Sequence, residues 1–293
     1  MKLSKIKKAI EKVRELPTLP VIANKVTTLL SDPKSNTIDL AKIIEKDQSI
    51  TAKILNLVNS SYYGLPQRVT NITQAIALLG YRNISHIVMT LSVFDTLKSS
   101  KKESFDRREF WIHSIAVAIM SVKIAKECMY SFADDVFTAG LLHDIGKVFI
   151  DGFLHEEFSA VIGAAYKEGI SFYEAERRLF DFDHIMVGEW IARAWRLPLH
   201  VVASIKHHHQ DPEQRKGFTA SSDISIDFVR TADIAVRIKA IGKNGDGLNF
   251  KPRLDKNLFK RLPILKEDVL ELMEGLNDDI NKSRTLLNIA TEG

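Results

Sequence analysis

The sequence predicts an all-α protein in two parts, a bundle of short helices over residues 1–98 and a larger helical domain over residues 99–293. Three observations predict it. Apolar residues recur at three- and four-residue spacing between clear breaks, and no stretch shows the apolar/polar alternation of a half-buried strand. The run Lys98-Ser99-Ser100-Lys101-Lys102-Glu103 is strongly polar, a composition shift that marks a domain boundary.

Leu3, Ile6, Ile10 and Val13 define a first helix over Leu3–Glu15. It ends at Leu16-Pro17-Thr18-Leu19-Pro20, because proline fixes φ and has no N–H to donate. A second helix is expected from Val21 to Leu30, stopped by Asp32-Pro33. Thr37 is the candidate cap of Ile38–Lys46, and Asp47 or Ser49 of Ile50–Asn59. The turn-rich segment Asn59-Ser60-Ser61-Tyr62-Tyr63-Gly64-Leu65-Pro66 follows, then helices over Ile72–Leu79 and Ile84–Leu97 separated by Gly80-Tyr81-Arg82-Asn83.

In the second part, helical spacing covers Phe110–Lys126, Asp134–Lys147, Glu156–Lys167, Ser171–Phe180 and His184–Trp195. Leu197-Pro198 breaks the chain before a helix that runs from Leu199 into the three histidines at 207–209. Asp223 is the expected cap of the helix carrying Asp233. Ile241–Leu262, with Gly242, Gly245, Gly247 and Pro252, is the least organised stretch and is expected to be mobile. A last amphipathic helix is expected over Leu265–Leu287. There is no internal repeat and no glycine-rich phosphate loop.

Composition narrows the function. With 41 Lys+Arg against 37 Asp+Glu in 293 residues, the formal charge of +4 is too small a bias to argue for nucleic acid or an anionic membrane as partner. Arg82, Arg107 and Arg108 could form an anion site, but solvated positions are the simpler reading. The single cysteine, Cys128, excludes an internal disulfide and thiolate metal sites, and its apolar context suits an inert thiol. No apolar run reaches the ~20 residues a bilayer span needs, and no signal peptide is apparent, so the expected location is the cytoplasm.

The chemistry-bearing residues are spread over five of these helices: Glu109 and His113, His143 and Asp144, His184, the run His207-His208-His209, and Asp233. A lone histidine in a helical protein is more often a hydrogen-bonded or surface residue than a ligand, and His86, His155 and His200 stay in that class. The others sit among apolar residues, where an imidazole needs a partner to offset its burial. Glu109 and His113, four apart, share a helical face, so both could reach one centre or the glutamate could orient the imidazole. His143 and Lys147 have the same spacing, which would set an ammonium beside a metal to meet a phosphate oxygen. Consecutive helical residues turn by about 100°, so three adjacent histidines cannot all face one point. The register from Ile205 favours His208 and His209, with His207 as bystander, although a solvated helix end before Pro212 would also explain the run. Nitrogen and oxygen donors without sulfur suit Fe, Mn, Zn, Co or Ni. So many donors oversupply one ion, and two divalent ions sharing Asp144 use them better.

The order His113, His143-Asp144, Asp233 resembles the HD superfamily of metal-dependent phosphohydrolases, an all-helical fold. His184 and the pair His208-His209 resemble the expanded metal set of its HD-GYP branch, and Glu109 matches the extra carboxylate of trinuclear members. After His208-His209, however, comes Gln210-Asp211-Pro212-Glu213 with no Gly-Tyr-Pro segment, which argues against cyclic-di-GMP hydrolysis. The resemblance to the HDOD family covers more of the chain. It rests on Leu16-Pro17-Thr18-Leu19-Pro20, Ile44-Glu45-Lys46-Asp47-Gln48-Ser49-Ile50, Asn59–Gly64, Ala75-Ile76-Ala77-Leu78-Leu79-Gly80, Gly140–Lys147, Asp183-His184 with Gly188, and Trp195-Arg196-Leu197-Pro198. It implies an HD-like helical domain preceded by a helical bundle, and a role as a bacterial signalling output module. Many members of that family have lost the ligands that this chain keeps. With no receiver, kinase or cyclase segment in the sequence, the input is expected from a partner protein or a phosphate-containing ligand. The alternative is a metal-dependent phosphohydrolase in which Asp144 and Lys147 carry the chemistry.

Overall fold

The computed structural model describes residues 18–32, 34–97, 106–215, 219–247 and 250–291, and every regular element among them is helical. The chain divides into two compact units. Pro17–Lys98 and Asn277–Gly293 form one, and Ser99–Leu276 falls in the other. The helix expected over Leu3–Glu15 and most of the polar segment at 98–108 lie outside the described residues.

The first unit begins with α1 (Val21–Ser31), α2 (Thr37–Ile44), α3 (Gln48–Val58), α4 (Ile72–Leu79) and α5 (Tyr81–Thr96). α5 is its centre, contacted by α1, α3 and α4, with Ile84, Val88, Met89 and Leu91 fully buried. Among the described residues no single helix is long and apolar enough to cross a membrane; α4 and α5 pass that test only as a pair, and they are bent by 118° at their junction. The cap of α2 is Asn36 rather than Thr37, since its side chain accepts from the N–H groups of Ile38 and Asp39. Asp47 caps α3 through Ile50 N at 3.0 Å.

The second unit contains α6 (Arg107–Glu127), α7 (Val136–Leu142), α8 (Ile145–Phe153), α9 (His155–Glu168), α10 (Phe172–Leu179), α11 (His184–Ala194), α12 (Leu199–His207), α13 (Ala220–Ile238) and α14 (Lys266–Glu274). α6 is apolar or small nearly all round, as a central helix must be, and it packs on α7 and α13. α12 lies between α11 and α13, and α8 against α11. α10 is capped by Ser171 and α11 by Asp183. The cap of α13 is Thr219, not Asp223, which lies inside the helix and pairs with Arg215 and Arg261.

Two further expectations are corrected here. The helix expected over Asp134–Lys147 is interrupted: a short 3-10 turn leads into α7, and the chain leaves helical hydrogen bonding at His143 and Asp144 before α8 begins. The helix expected over Leu265–Leu287 is three, α14, α15 (Leu276–Lys282) and α16 (Arg284–Thr291), broken at Gly275 and at Ser283. Residues 277–293 belong to the first unit, where α16 packs on α3 and α5. Cys128, at the end of α6, is half-buried, and burial pushes its thiol up to about 11, in keeping with an inert residue.

The approach of α8 to α11 is set by glycine. A Cβ at Gly146 would stand 1.9 Å from the His184 carbonyl oxygen and 2.9 Å from Gly188 N. Because these are backbone atoms that a rotamer change cannot clear, Gly146→Ala must push the two helices apart. The expected cost is about 1–3 kcal/mol, read as a lower urea midpoint. An unchanged midpoint would show that the contact is looser than described.

Candidate metal centre

Seven side chains from five helical segments of the second unit point into one buried volume. His113 comes from α6, His143 and Asp144 from the break between α7 and α8, His184 from the first residue of α11, His208 and His209 from the turn after α12, and Asp233 from α13. The break explains how adjacent residues both reach the centre, since in a continuous helix their side chains would diverge by about 100°.

The atoms separate into two groups, Asp144, His184, His208 and His209 in one and His113, His143 and Asp233 in the other, each close enough to hold one metal ion. Asp144 links them. Its Oδ1 lies 3.1 Å from His184 Nε2 and 3.5 Å from His208 Nε2, while its Oδ2 lies 3.4 Å from His143 Nε2. In the other group Asp233 Oδ1 is 3.2 Å from His113 Nε2 and 3.8 Å from His143 Nε2. Apart from half-buried His209, all seven are buried.

The inward atoms, Nε2 of His113, His143, His184, His208 and His209, with Oδ1 of Asp144 and of Asp233, make no hydrogen bond. Unmatched buried polar atoms are costly and rare, and here they converge with the donor chemistry of a two-metal site. The outward atoms are fixed. His143 Nδ1–H donates to Gly140 O at 2.7 Å, His208 Nδ1–H to Ile205 O at 3.0 Å, and His184 Nδ1–H to Glu176 Oε2 at 2.6 Å. Donation at Nδ1 leaves Nε2 as the inward atom, which can ligate a metal once it carries no proton. The residues present therefore fit metal binding, with nitrogen and oxygen donors in two groups.

Charge balance follows from the same contacts. Burial raises a carboxylate, but Lys147 and His143 hold Asp144 well below its usual range, and Arg237 does the same for Asp233. Burial lowers an imidazole, yet Asp144 and Asp233 outweigh it at His143, which rises to about 9. Glu176 and Asp144 likewise raise His184 to about 9. Burial, with His143 and His184 beside it, pushes His208 down to about 4.

His113, His143, Asp144, His184, His208, His209 and Asp233 are thus brought together, and His207 is turned away, its Nδ1 2.5 Å from Gln210 Oε1. Glu109 is not in either ligand group. It sits half-buried one turn before His113, where its carbonyl accepts from Lys243 N at 3.1 Å. Lys147, expected beside the metal to meet a phosphate, is buried against Asp144. Its ammonium donates to Asp144 Oδ2 at 2.6 Å and to Asn244 O at 3.0 Å, and it lies 5.0 Å from the Phe172 ring centroid.

Three supporting residues escaped the sequence reading. Glu176 accepts from both the backbone N–H and the ring of His184. Arg237 donates to Asp233 Oδ2 at 3.0 Å and contacts Asp246 Oδ2 at 2.5 Å. Glu176 stood out only as an acidic residue on the apolar-facing side of a short helix, and Arg237 only through its four-residue spacing from Asp233. Asp246 lies in the segment expected to be mobile. Residues 242–247 are instead tied to the second unit: Gly242 packs where a Cβ would meet Glu109 O and His113 N at 2.4 Å, and Gly247 N donates to Ile170 O at 3.0 Å.

Comparison with known proteins supplies the family. Residues 16–211 match the HDOD domain. An HDOD domain protein of unknown function from Geobacter sulfurreducens is 28% identical, with a TM-score of 0.76 over 98% of this chain and 97% of that one. Two more distant structures share the fold. A proposed signal transduction protein from Marinobacter aquaeolei VT8 is 18% identical, with a TM-score of 0.77 over 96% of this chain and 61% of that one. A proposed metal-dependent phosphohydrolase from Shewanella amazonensis SB2B is 21% identical, with a TM-score of 0.61 over 95% and 97%. The chain spans 39% and 31% of the lengths of the two curated relatives it matches.

The raised imidazoles give the metal-free protein a distinctive pH response. His143 and His184 bind protons more tightly folded than unfolded, where their value is near 6.5. Their stabilising contribution is complete below that value and is lost as pH rises through about 9. Metal-free protein should therefore melt at lower temperature at about pH 9 than at about pH 7. Metal loading at pH 7 should release about two protons, measurable by calorimetry in buffers of different ionisation enthalpy. A melting temperature that is flat across that window would contradict the assignment.

Proposed function

The chain belongs to the HDOD family, and from that premise we propose that it is a bacterial signal-transduction module whose His/Asp centre binds two divalent transition-metal ions as a regulatory element. The observation that carries this reading is the set of seven inward, unbonded nitrogen and oxygen atoms, divided into two groups, with Asp144 of the first facing His143 of the second at 3.4 Å. When bound, the ions would supply Lewis acidity and positive charge at the point where the buried carboxylates concentrate negative charge. His113, His143 and Asp233 would hold one ion, His184, His208 and His209 the other, and Asp144 both.

A regulatory role is favoured over turnover by Lys147. The cation expected to neutralise a phosphate is committed to Asp144 and Asn244 O, so it acts as a positioning residue for the shared carboxylate. In this reading the input is a signalling partner protein or a phosphate-containing ligand that senses or sets metal occupancy.

Hydrolysis of a nucleotide or another phosphoester is the second reading. A carboxylate of one group that also faces His143 of the other favours it, because a bridging carboxylate suits two-metal hydrolytic chemistry, and the Shewanella protein of the same fold carries that proposed activity. The absence of a Gly-Tyr-Pro segment after His208-His209 sets cyclic-di-GMP apart as a substrate.

Elemental analysis of protein purified without added metal, combined with a phosphoester panel, separates the readings. The expected result is bound transition metal without turnover, and a loss of affinity on the order of 100-fold or more at both sites in Asp144→Ala. Turnover that disappears in Asp144→Ala would replace the regulatory reading with the hydrolytic one. Protein that neither retains nor binds metal would remove both.

A further inference from the structure

The segment Gly242–Gly247 carries no candidate ligand, yet it touches the support of both ligand groups. Asp246 is where these contacts meet. Its Oδ2 is 2.5 Å from Arg237 Nη2, and the other arm of that guanidinium, Nη1, donates to Asp233 Oδ2 at 3.0 Å. Its Oδ1 accepts from Phe172 N at 2.8 Å. Phe172 is the first residue of α10 and is fully buried. One turn along that helix, Glu176 grips the N–H of His184 at 2.9 Å and its ring at 2.6 Å.

One carboxylate therefore reaches Asp233 in two contacts on one side and His184 through a single helical turn on the other. The neighbouring Asn244 adds a third tie, its carbonyl accepting from the ammonium that holds Asp144. The rest of the segment is pinned so that this geometry is kept. Lys243 N donates to Glu109 O, one turn from His113. Gly242 has φ +66 and no room for a Cβ against that helix backbone, a position only glycine fills without strain.

We infer that Asp246 is a positioning residue that couples the two metal-binding groups, so that the order of one depends on the order of the other. The inference rests on the metal-centre reading above and adds to it a route between the two sites. Supporting residues around metal ligands typically change affinity by about 10–100-fold, and that is the expected scale. The two oxygens of Asp246 can be separated chemically. Asp246→Ala removes both contacts, together with the bond that Oδ2 accepts from Asn244 Nδ2 at 3.2 Å. Asp246→Asn keeps an oxygen to accept from Phe172 N, but it turns an NH2 group toward Arg237, which has no acceptor to offer it.

The test is titration of metal-free, full-length protein with Co(II), followed through its visible absorption, with His113→Ala and His209→Ala used to assign each phase to its group. Wild-type protein is expected to take up Co(II) in both groups. Asp246→Ala should weaken both by about 10–100-fold and alter both spectra, whereas Asp246→Asn should weaken chiefly the group containing Asp233. If Asp246→Ala folds and both affinities stay within about twofold of wild type, the coupling is overturned while the metal centre stands. Should Asp246→Ala fail to fold, Asp246→Asn decides: no loss, or a loss confined to the group containing Asp233, overturns it. Wild-type protein that binds no Co(II) overturns the coupling together with the metal centre.

Discussion

The buried carboxylate of Asp144 is the constraint around which the second unit is arranged. An ionised carboxylate with 2% of its surface exposed is untenable without partners, and this one is surrounded. Lys147 takes one side of Oδ2 and His143 faces the other, while Oδ1 is turned toward His184 and His208. Those partners sit on four different segments, so meeting the demand of a single side chain requires α8, α11 and the end of α12 to converge on the break before α8. The close approach of Gly146 to the His184 backbone is the packing counterpart of that demand. A larger residue there would separate the carboxylate from the imidazole that balances it.

The charges around the centre explain why binding metal there would release protons. Asp144, Asp233, Glu176 and Asp246 bring four formal negative charges, and Lys147 and Arg237 return two positive ones. In the metal-free protein the raised imidazoles of His143 and His184 supply the balance. The neighbours of those rings decide the outcome: His208, placed against two other imidazoles, is pushed the opposite way. A divalent ion in each group would replace the ring protons by a charge at the same place. Occupancy and protonation are thus two settings of one electrostatic balance, and the outward hydrogen bonds of the rings serve both.

The candidate residues of the two groups were legible because they depend on residue type and spacing, which the chain displays directly. The choice of His208 and His209 over His207 followed from helical rotation alone, and the structure turns His207 toward Gln210. Less legible were features set by competition between neighbours. Asn36 caps α2 where Thr37 was expected because, one residue earlier, its carboxamide reaches two N–H groups. The interruption at His143-Asp144 has no proline or unusual glycine to announce it; an apolar run followed by Gly146 reads as a continuous helix. Glu109 has the spacing to join His113, but a shared helical face does not fix distance to the other donors, which is a tertiary property, and Glu109 is in neither group. The 242–247 segment was misread for a similar reason. Glycines signal freedom in an isolated chain, whereas here Gly242 permits backbone contact with α6 that any side chain would block.

The outer contacts also bear on what kind of centre this is. Five of the buried groups have their outward side occupied: Asp144 by Lys147, Asp233 by Arg237, His184 by Glu176, and His143 and His208 by backbone carbonyls. Ligands held in this way favour retention of an ion in fixed geometry. His209 differs, being half-buried, with its ring stacked 4.5 Å from that of Tyr173 and Arg177 lying 5.6 Å from the Tyr173 centroid. Tyr173 and Arg177 flank Glu176 on α10, the helix whose first N–H is held by Asp246. The most exposed ligand and the most connected supporting residue therefore act on the same short helix. A change at the surface of α10 has a physical route to both ligand groups, which is the property a regulatory centre requires and a purely structural one does not.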